Sequence, residues 1–291
     1  NDWDVSLITD MSELFYCCHY SNLCNKKIHR FNQPINNWNV SNVTKMNFMF
    51  YSCKKFNQPI NNWNVSKVTN MNSMFYGCIE FNQSINNWNV ISVANMSSMF
   101  YGCTEFNQPL NNWNVSKVAH MNSMFCHCHV FNQSINDWNV SNVINMSHMF
   151  YRCEKFNQPL NNWNVSNVAD MNGMFTQCYK FNQPINNWNV SNVTTMRSMF
   201  SYCKKFSKTH KEQFYMSNIK KKNKYALYEL QKDMPIIKIY YMTENKEFIM
   251  DNITKNNKNG IQNFIENTTK DICKSCYLHT DCVNNICVVC S

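Results

Sequence analysis

The residues with most capacity for chemistry are sulfurs and imidazoles. The chain carries 16 cysteines and 8 histidines. Near the C-terminus, CKSCYLHTDCVNNICVVC spaces five thiols as C-x2-C-x5-C-x4-C-x2-C, with His279 inside. Two chemistries fit this spacing. Paired CxxC thiolates hold tetrahedral zinc, and Cys273, Cys276, Cys287 and Cys290 form such a set. The gap between the pairs is short for a zinc ribbon, however, and Cys282 is left over. A small disulfide-bonded knot drawing on Cys273, Cys276, Cys282, Cys287 and Cys290 is therefore the first expectation, with structural zinc the alternative.

A second cluster is Cys126-His127-Cys128-His129, with His120 before it and His148 after it. These are zinc-ligand types. Alternate residues need not face one way, though, and Cys128 belongs to a regular column, so drift on a solvent face is the simpler reading. That column runs Cys53, Cys78, Cys103, Cys128, Cys153, Cys178 and Cys203. Free cysteine is among the most buried residue types, so a buried row is expected in place of a metal or disulfide ladder. No nucleophile elbow, paired-carboxylate pattern or phosphate loop appears, and glycine is scarce. The reading is of a non-enzyme with no catalytic residue and no cofactor beyond that candidate zinc.

The column exposes the organisation. Phe recurs at 31, 56, 81, 106, 131, 156, 181 and 206, and Trp at 38, 63, 88, 113, 138, 163 and 188. Seven units of 25 residues fill 31–205. An earlier partial unit carries Trp3, Met11, Phe15 and Cys18 and is followed by a loop insertion at about 19–30. A fixed period of this size marks a solenoid, because one unit cannot bury its own apolar face. Within a unit, Trp38 and Val40 alternate with Asn39 and Ser41, as in a short strand. Val43, Met46, Phe50 and Cys53 then follow at helical spacing, with Ser41 placed to cap. Each unit therefore reads as one short strand plus one short helix. Asn36–Asn37 reads as a corner, and stacked corners would let identical amides bond one another from unit to unit.

The block MF-x2-C-x2-FNQPINNWNVSNVTxM, seen in Trp3-Asp-Val-Ser6, Trp38-Asn-Val-Ser-Asn-Val43 and Met49-Phe50-x2-Cys53, resembles the BspA-like leucine-rich-repeat surface proteins. The likeness is to their 25-residue class, found in mycoplasma surface lipoproteins and in proteins of large DNA viruses, and it covers about residues 1–206. The resemblance implies a leucine-rich-repeat-like right-handed α/β solenoid used for adhesion or protein contact, with no catalytic residues. The cysteine content departs from mycoplasma proteins, and this with the Asn/Lys/Ile-rich composition points towards a virus or protist.

Three regions follow: the repeat solenoid at 1–206, a small basic α+β cap at 207–270, and the Cys-rich knot at 271–291. Positive charge is uneven. Residues 1–203 hold 12 Lys/Arg against 9 Asp/Glu, and the remainder 15 against 9. The run Lys220–Lys222 with Lys224 reads as a solvated face, and nucleic acid is not the expected partner. No run of 18 apolar residues exists to span a membrane. The chain begins within a unit, and further repeats upstream are expected. The sequons at Asn39, Asn64, Asn114, Asn139, Asn164 and Asn189 are either buried or never meet the glycosylation machinery. The expected function is contact with a cell-surface or capsid protein, at a cell surface or in a virion. Contact would run through the variable slots: Lys45, Phe48, Lys54, Lys55, His120, His148, Asp170 and Tyr179.

Overall fold

The computed structural model describes residues 3–17 and 30–219. The 19–30 insertion, the cap beyond Ile219 and the Cys-rich segment fall outside the described residues, wholly or nearly so.

Successive units lie against one another in register. Asp10, Lys45, Asn70, Asn95, His120, Asn145, Asp170 and Thr195 form one column of single parallel bridges. The apolar slots face inward. Val43, Met46, Met49, Phe50, Cys53, Phe56 and Ile60 are fully buried, as are their counterparts in the following units down to Ile185. Trp38 stacks on Trp63 and Trp63 on Trp88, each at 6.4 Å with nearly parallel rings. From Trp63 to Trp188 each indole also donates from Nε1 to a carbonyl 28 residues back, Trp63 to Ile35 and Trp88 to Ile60.

The local structure differs from the strand-plus-helix expectation. Among the described residues there is no named strand, and the one helix, α1, is Lys208–Ile219, after the units. A unit is a succession of tight turns. Amides of Trp38, Val43, Met49, Tyr51, Cys53 and Phe56 each donate to the carbonyl three residues earlier. The alternate amides of Met46, Phe48, Phe50 and Ser52 instead donate to Asn70, Asn72, Met74 and Tyr76 of the next unit. An α-helix needs every amide for its own i−4 carbonyl, so these inter-unit bonds exclude it. Positive φ at Phe48 (58°) and Ser52 (61°) excludes it again. The helix-like spacing survives because a chain of three-residue turns brings the same residues inward. The Trp38–Val40 alternation is likewise real as inward and outward facing. That segment carries no bridge; its inter-unit contact runs through the indole.

The inter-unit bonds of the 46–52 stretch share one direction, whereas a fifth column, through Thr44, Thr69 and on to Thr194, runs the opposite way, each N–H donating to the preceding unit. The Lys45–Met46 peptide accepts from Met11 at its carbonyl and donates from its N–H to Asn70. The peptides 47–48, 49–50 and 51–52 behave in the same way. Four head-to-tail columns of peptides thus run through the units. Their carbonyl ends lie at Asp10, Ser12, Leu14 and Tyr16, and their N–H ends at Met196, Ser198, Phe200 and Tyr202. As in an α-helix, aligned peptide dipoles leave partial negative charge at the carbonyl end and partial positive charge at the N–H end.

An amide ladder exists, but at Asn32, not at the Asn36–Asn37 corner, and it joins asparagine to backbone N–H and glutamine in place of an identical amide. Asn32 Oδ1 accepts from the backbone N–H of Asn57 and from Gln58 Nε2, and Asn57 repeats this toward Asn82 and Gln83. The column continues through Asn182 to the N–H of Ser207. The corner amides are mostly exposed and bond irregularly. The Asn32 slot is half-buried and its inter-unit amide is met by a side chain, whereas the corner turn at 36–37 is open to solvent.

Helix α1 lies over the last unit. Ser207 caps it, its Oγ accepting from the N–H of His210. Phe214 and Tyr215 are buried edge-on against Phe200. The buried Asn218 accepts from the N–H of Val190 and donates to the Phe214 carbonyl. At the other end Trp3 and Leu7 are exposed, at 69% and 87%.

Candidate interaction surface

The cysteine column is structural. Each thiol donates to a phenylalanine carbonyl of the preceding unit, Cys78 to Phe50 and Cys103 to Phe75 at 3.0 Å, Cys128 to Phe100 at 2.9 Å. The repeated thiols are free and fully or nearly fully buried. Burial pushes the Cys53 thiol up to about 12, and those of Cys78, Cys103, Cys128, Cys153 and Cys178 well above the ordinary range. Protonated, shielded thiols neither attack nor ligate metal.

The Cys126–His129 cluster is dispersed by the same turns. Cys128 points into the core column. Cys126 takes the place that tyrosine holds in neighbouring units, and burial raises its thiol to about 12. His127 sits between Tyr101 and Tyr151, with ring centroids at 5.5 and 5.4 Å. Its imidazole is held below the usual value, first by burial and then by Arg152. Among the described residues no three His, Cys, Asp or Glu side chains are grouped to hold a metal ion. Cys273, Cys276, Cys282, Cys287 and Cys290 lie outside the described residues.

The expected contact residues sort into columns. Lys45, His120 and Asp170 share the bridge column, where Lys45 pairs with Asp10 at 3.5 Å. Both partners are about half exposed, so this pair adds little stability. Phe48 and His148 share the first positive-φ slot and are half-buried. His148 leans over the next unit, where Gly173 leaves it room: a Cβ there would come within 2.8 Å of the imidazole. Lys54 and Tyr179 share one slot, exposed at Lys54 and half-buried at Tyr179, and Lys55 lies in the adjacent one. The structure therefore brings together Lys45, His120 and Asp170 along one line and Lys54, Lys55 and Tyr179 along another. Phe48 and His148 lie in a third slot, so the eight residues fall into several columns.

Two surface features were not anticipated. Tyr16, Tyr51, Tyr76 and Tyr101 form a continuous stack, at 4.8, 4.5 and 4.3 Å between centroids. The period-25 alignment contained this column, but tyrosine was not singled out. The second lies in the Lys55 slot. Lys55 forms an ion pair with Glu80 of the next unit. Further on, the same slot holds Lys155, Lys180 and Lys205, all exposed. None of the three has a carboxylate partner among the described residues. Adjacent units lie roughly 5 Å apart, where like charges repel by about 1 kcal/mol in water. Lys204 lies over the Tyr179 ring at 5.0 Å, and Arg152 is bonded to Gln177.

Asn39, Asn64, Asn89, Asn114, Asn139, Asn164 and Asn189 are all exposed. Those of the sequons accept from the N–H of the serine two residues on, as Asn64 does from Ser66. The burial alternative for the sequons is thereby removed.

Repeat units of this kind have a counterpart among known families. Residues 20–138 and 123–232 match the family described as Mycoplasma protein of unknown function, DUF285. The two matches together span well over half of the chain, and the protein belongs to this family. No curated protein matches the chain. No helix among the described residues is long and apolar enough to cross a membrane.

Proposed function

We propose that this protein is a non-enzymatic, BspA-like surface or virion-associated repeat protein that binds other macromolecules through its variable slots. In this reading the units form one right-handed, leucine-rich-repeat-like solenoid, roughly 40 Å long at about eight units of 5 Å. The observation that carries the reading is the division of labour within each unit. The recurrent Phe, Trp, Met, Val and Cys slots are consumed by the interior. The slots that vary, those of Lys45, Lys54 and Lys55 among them, face outward in aligned columns. Buried protonated thiols and the scattered imidazoles of His127 and His129 offer no nucleophile–base pair, which favours binding over catalysis.

Affinity capture with the full chain against host surface or capsid proteins tests the proposal. The expected result is a partner lost when the charges at Lys45, Lys54, Lys55 and Asp170 are reversed together. If every captured interaction survives that reversal, the variable slots are not the binding surface. Antibody access to the chain on intact cells or particles tests the surface placement separately.

A further inference from the structure

We propose that the row Lys155, Lys180 and Lys205, at the α1 end of the units, is a binding site for an extended anionic polysaccharide, sulfated or uronate-rich. The choice of polysaccharide rests on the surface-protein reading above; the anion site itself does not.

Three independent observations point to an anionic ligand here. The first is register. The three lysines occupy one slot in three consecutive units, so their backbone positions follow one another along the stacking direction at roughly 5 Å steps. Earlier in the same slot the charge is neutralised within the chain, Lys55 by Glu80. Here the nearest slot contributes one acid, Glu154, which forms no ion pair among the described residues. A mutually repelling row with a single neighbouring acid and no ion pair among the described residues is relieved by a linear polyanion, whose charges repeat along a line.

The second observation is the surrounding composition. The last unit, residues 181–206, carries Arg197, Lys204 and Lys205 and no acid, whereas described residues 3–17 carry Asp4, Asp10 and Glu13 and no base. The third is the backbone. Four peptide columns end in the N–H groups of Met196, Ser198, Phe200 and Tyr202 and one opposed column ends in the carbonyl of Thr194, so the net positive pole, four columns against one, lies at the end where the lysines are. Side-chain charge and peptide dipole thus reinforce one another. Tyr202, 70% exposed in the same unit, adds an aromatic face against which a sugar ring can lie.

The test is binding of the full chain to a size-defined heparin-type polysaccharide, with neutral dextran and a single-stranded oligonucleotide of matched charge as comparisons. Three released counterions predict an affinity loss of about 20- to 40-fold between roughly 0.15 and 0.6 M salt. The triple variant K155E/K180E/K205E is expected to lose binding. The variant K67Q/K117Q, at exposed lysines of a different slot, is expected to keep it. These positions are exposed, and unchanged circular dichroism confirms the fold of each variant. Absence of binding, or binding that survives the triple reversal, overturns the site. Equal binding of the oligonucleotide that is lost in the triple variant overturns the polysaccharide assignment. Failure of the surface reading would show instead as inaccessibility to antibody on intact cells, with binding by the purified chain unaffected.

Discussion

Raising the pH should dismantle this protein from the inside, through its thiols. Seven of them, Cys53, Cys78, Cys103, Cys126, Cys128, Cys153 and Cys178, have pKa values raised by burial, two to about 12 and the rest well above the ordinary range. In the unfolded chain each returns to roughly 8.5. A thiol raised on folding is neutral in both states below that value, and its contribution to stability is then fully present. Above it the unfolded chain releases a proton that the folded chain retains, so stability falls as pH rises towards the folded pKa. Each thiol then loses somewhat more than about 1 kcal/mol per pH unit. Seven together lose about 10 kcal/mol by one unit above the unfolded value, comparable to the whole stability of an ordinary domain. Urea unfolding followed by tryptophan fluorescence between about pH 8 and 10, in reductant, measures the slope. Replacing Cys78, Cys103, Cys128, Cys153 and Cys178 by serine keeps a donor for each phenylalanine carbonyl and removes five of the seven titrations. Neutral stability will change, but the thiol part of the slope should drop to about two-sevenths of its original value, with Tyr76 and Tyr101, also raised by burial, contributing equally in both proteins near pH 10. Equal slopes in the two proteins would refute the reasoning.

Other expectations follow from individual contacts. Ser98 sits at φ 54° with a side chain that makes no bond among the described residues, so S98G should stabilise by about 1 kcal/mol; G102A, at φ 71°, should destabilise by a similar amount, both read as shifts in urea midpoint. G173A drives a methyl into His148 and should cost more than G102A; the double variant H148S/G173A should recover the difference, and a double-mutant cycle measures the coupling. N107A strips the acceptor from the Asn132 N–H and from Gln133 Nε2 and should cost about 1–3 kcal/mol, whereas N111A at the exposed corner should stay within about 0.5 kcal/mol in the same assay.

How far the sequence alone reached can be judged from particular residues. The interior was legible: Phe, Trp, Met, Val and Cys recur at a fixed period, and each of those columns is buried. Periodicity reports facing, and facing is what burial selects. The cysteine column was legible as core for the same reason. The conformation of Val43–Cys53 was not. A spacing of three and four residues is shared by a helix and by a run of three-residue turns. The turns win here because the amides of Met46, Phe48, Phe50 and Ser52 find carbonyls in the next unit. Those carbonyls exist only once a neighbouring unit is in place, so no single unit contains the information. Positive φ at Phe48, Ser52 and Arg152 was invisible for a related reason: these residues are not glycine, and only the surrounding bonds hold them there.

The amide ladder shows the same division. The sequence identified asparagine as the bonding element and missed which one, because Asn32 and Asn36 are alike in type and differ in what the adjacent unit presents to them. The dispersal of Cys126, His127, Cys128 and His129 also needed the turns, which send neighbouring side chains into the core, the tyrosine stack and the surface. Sequence by itself determined which side of the chain faces inward, since that depends on polarity repeated at fixed intervals. Tertiary structure decided the backbone conformation, the polarity of the peptide columns and the alignment of Lys155 with Lys180 and Lys205, because each arises from bonds or distances between units.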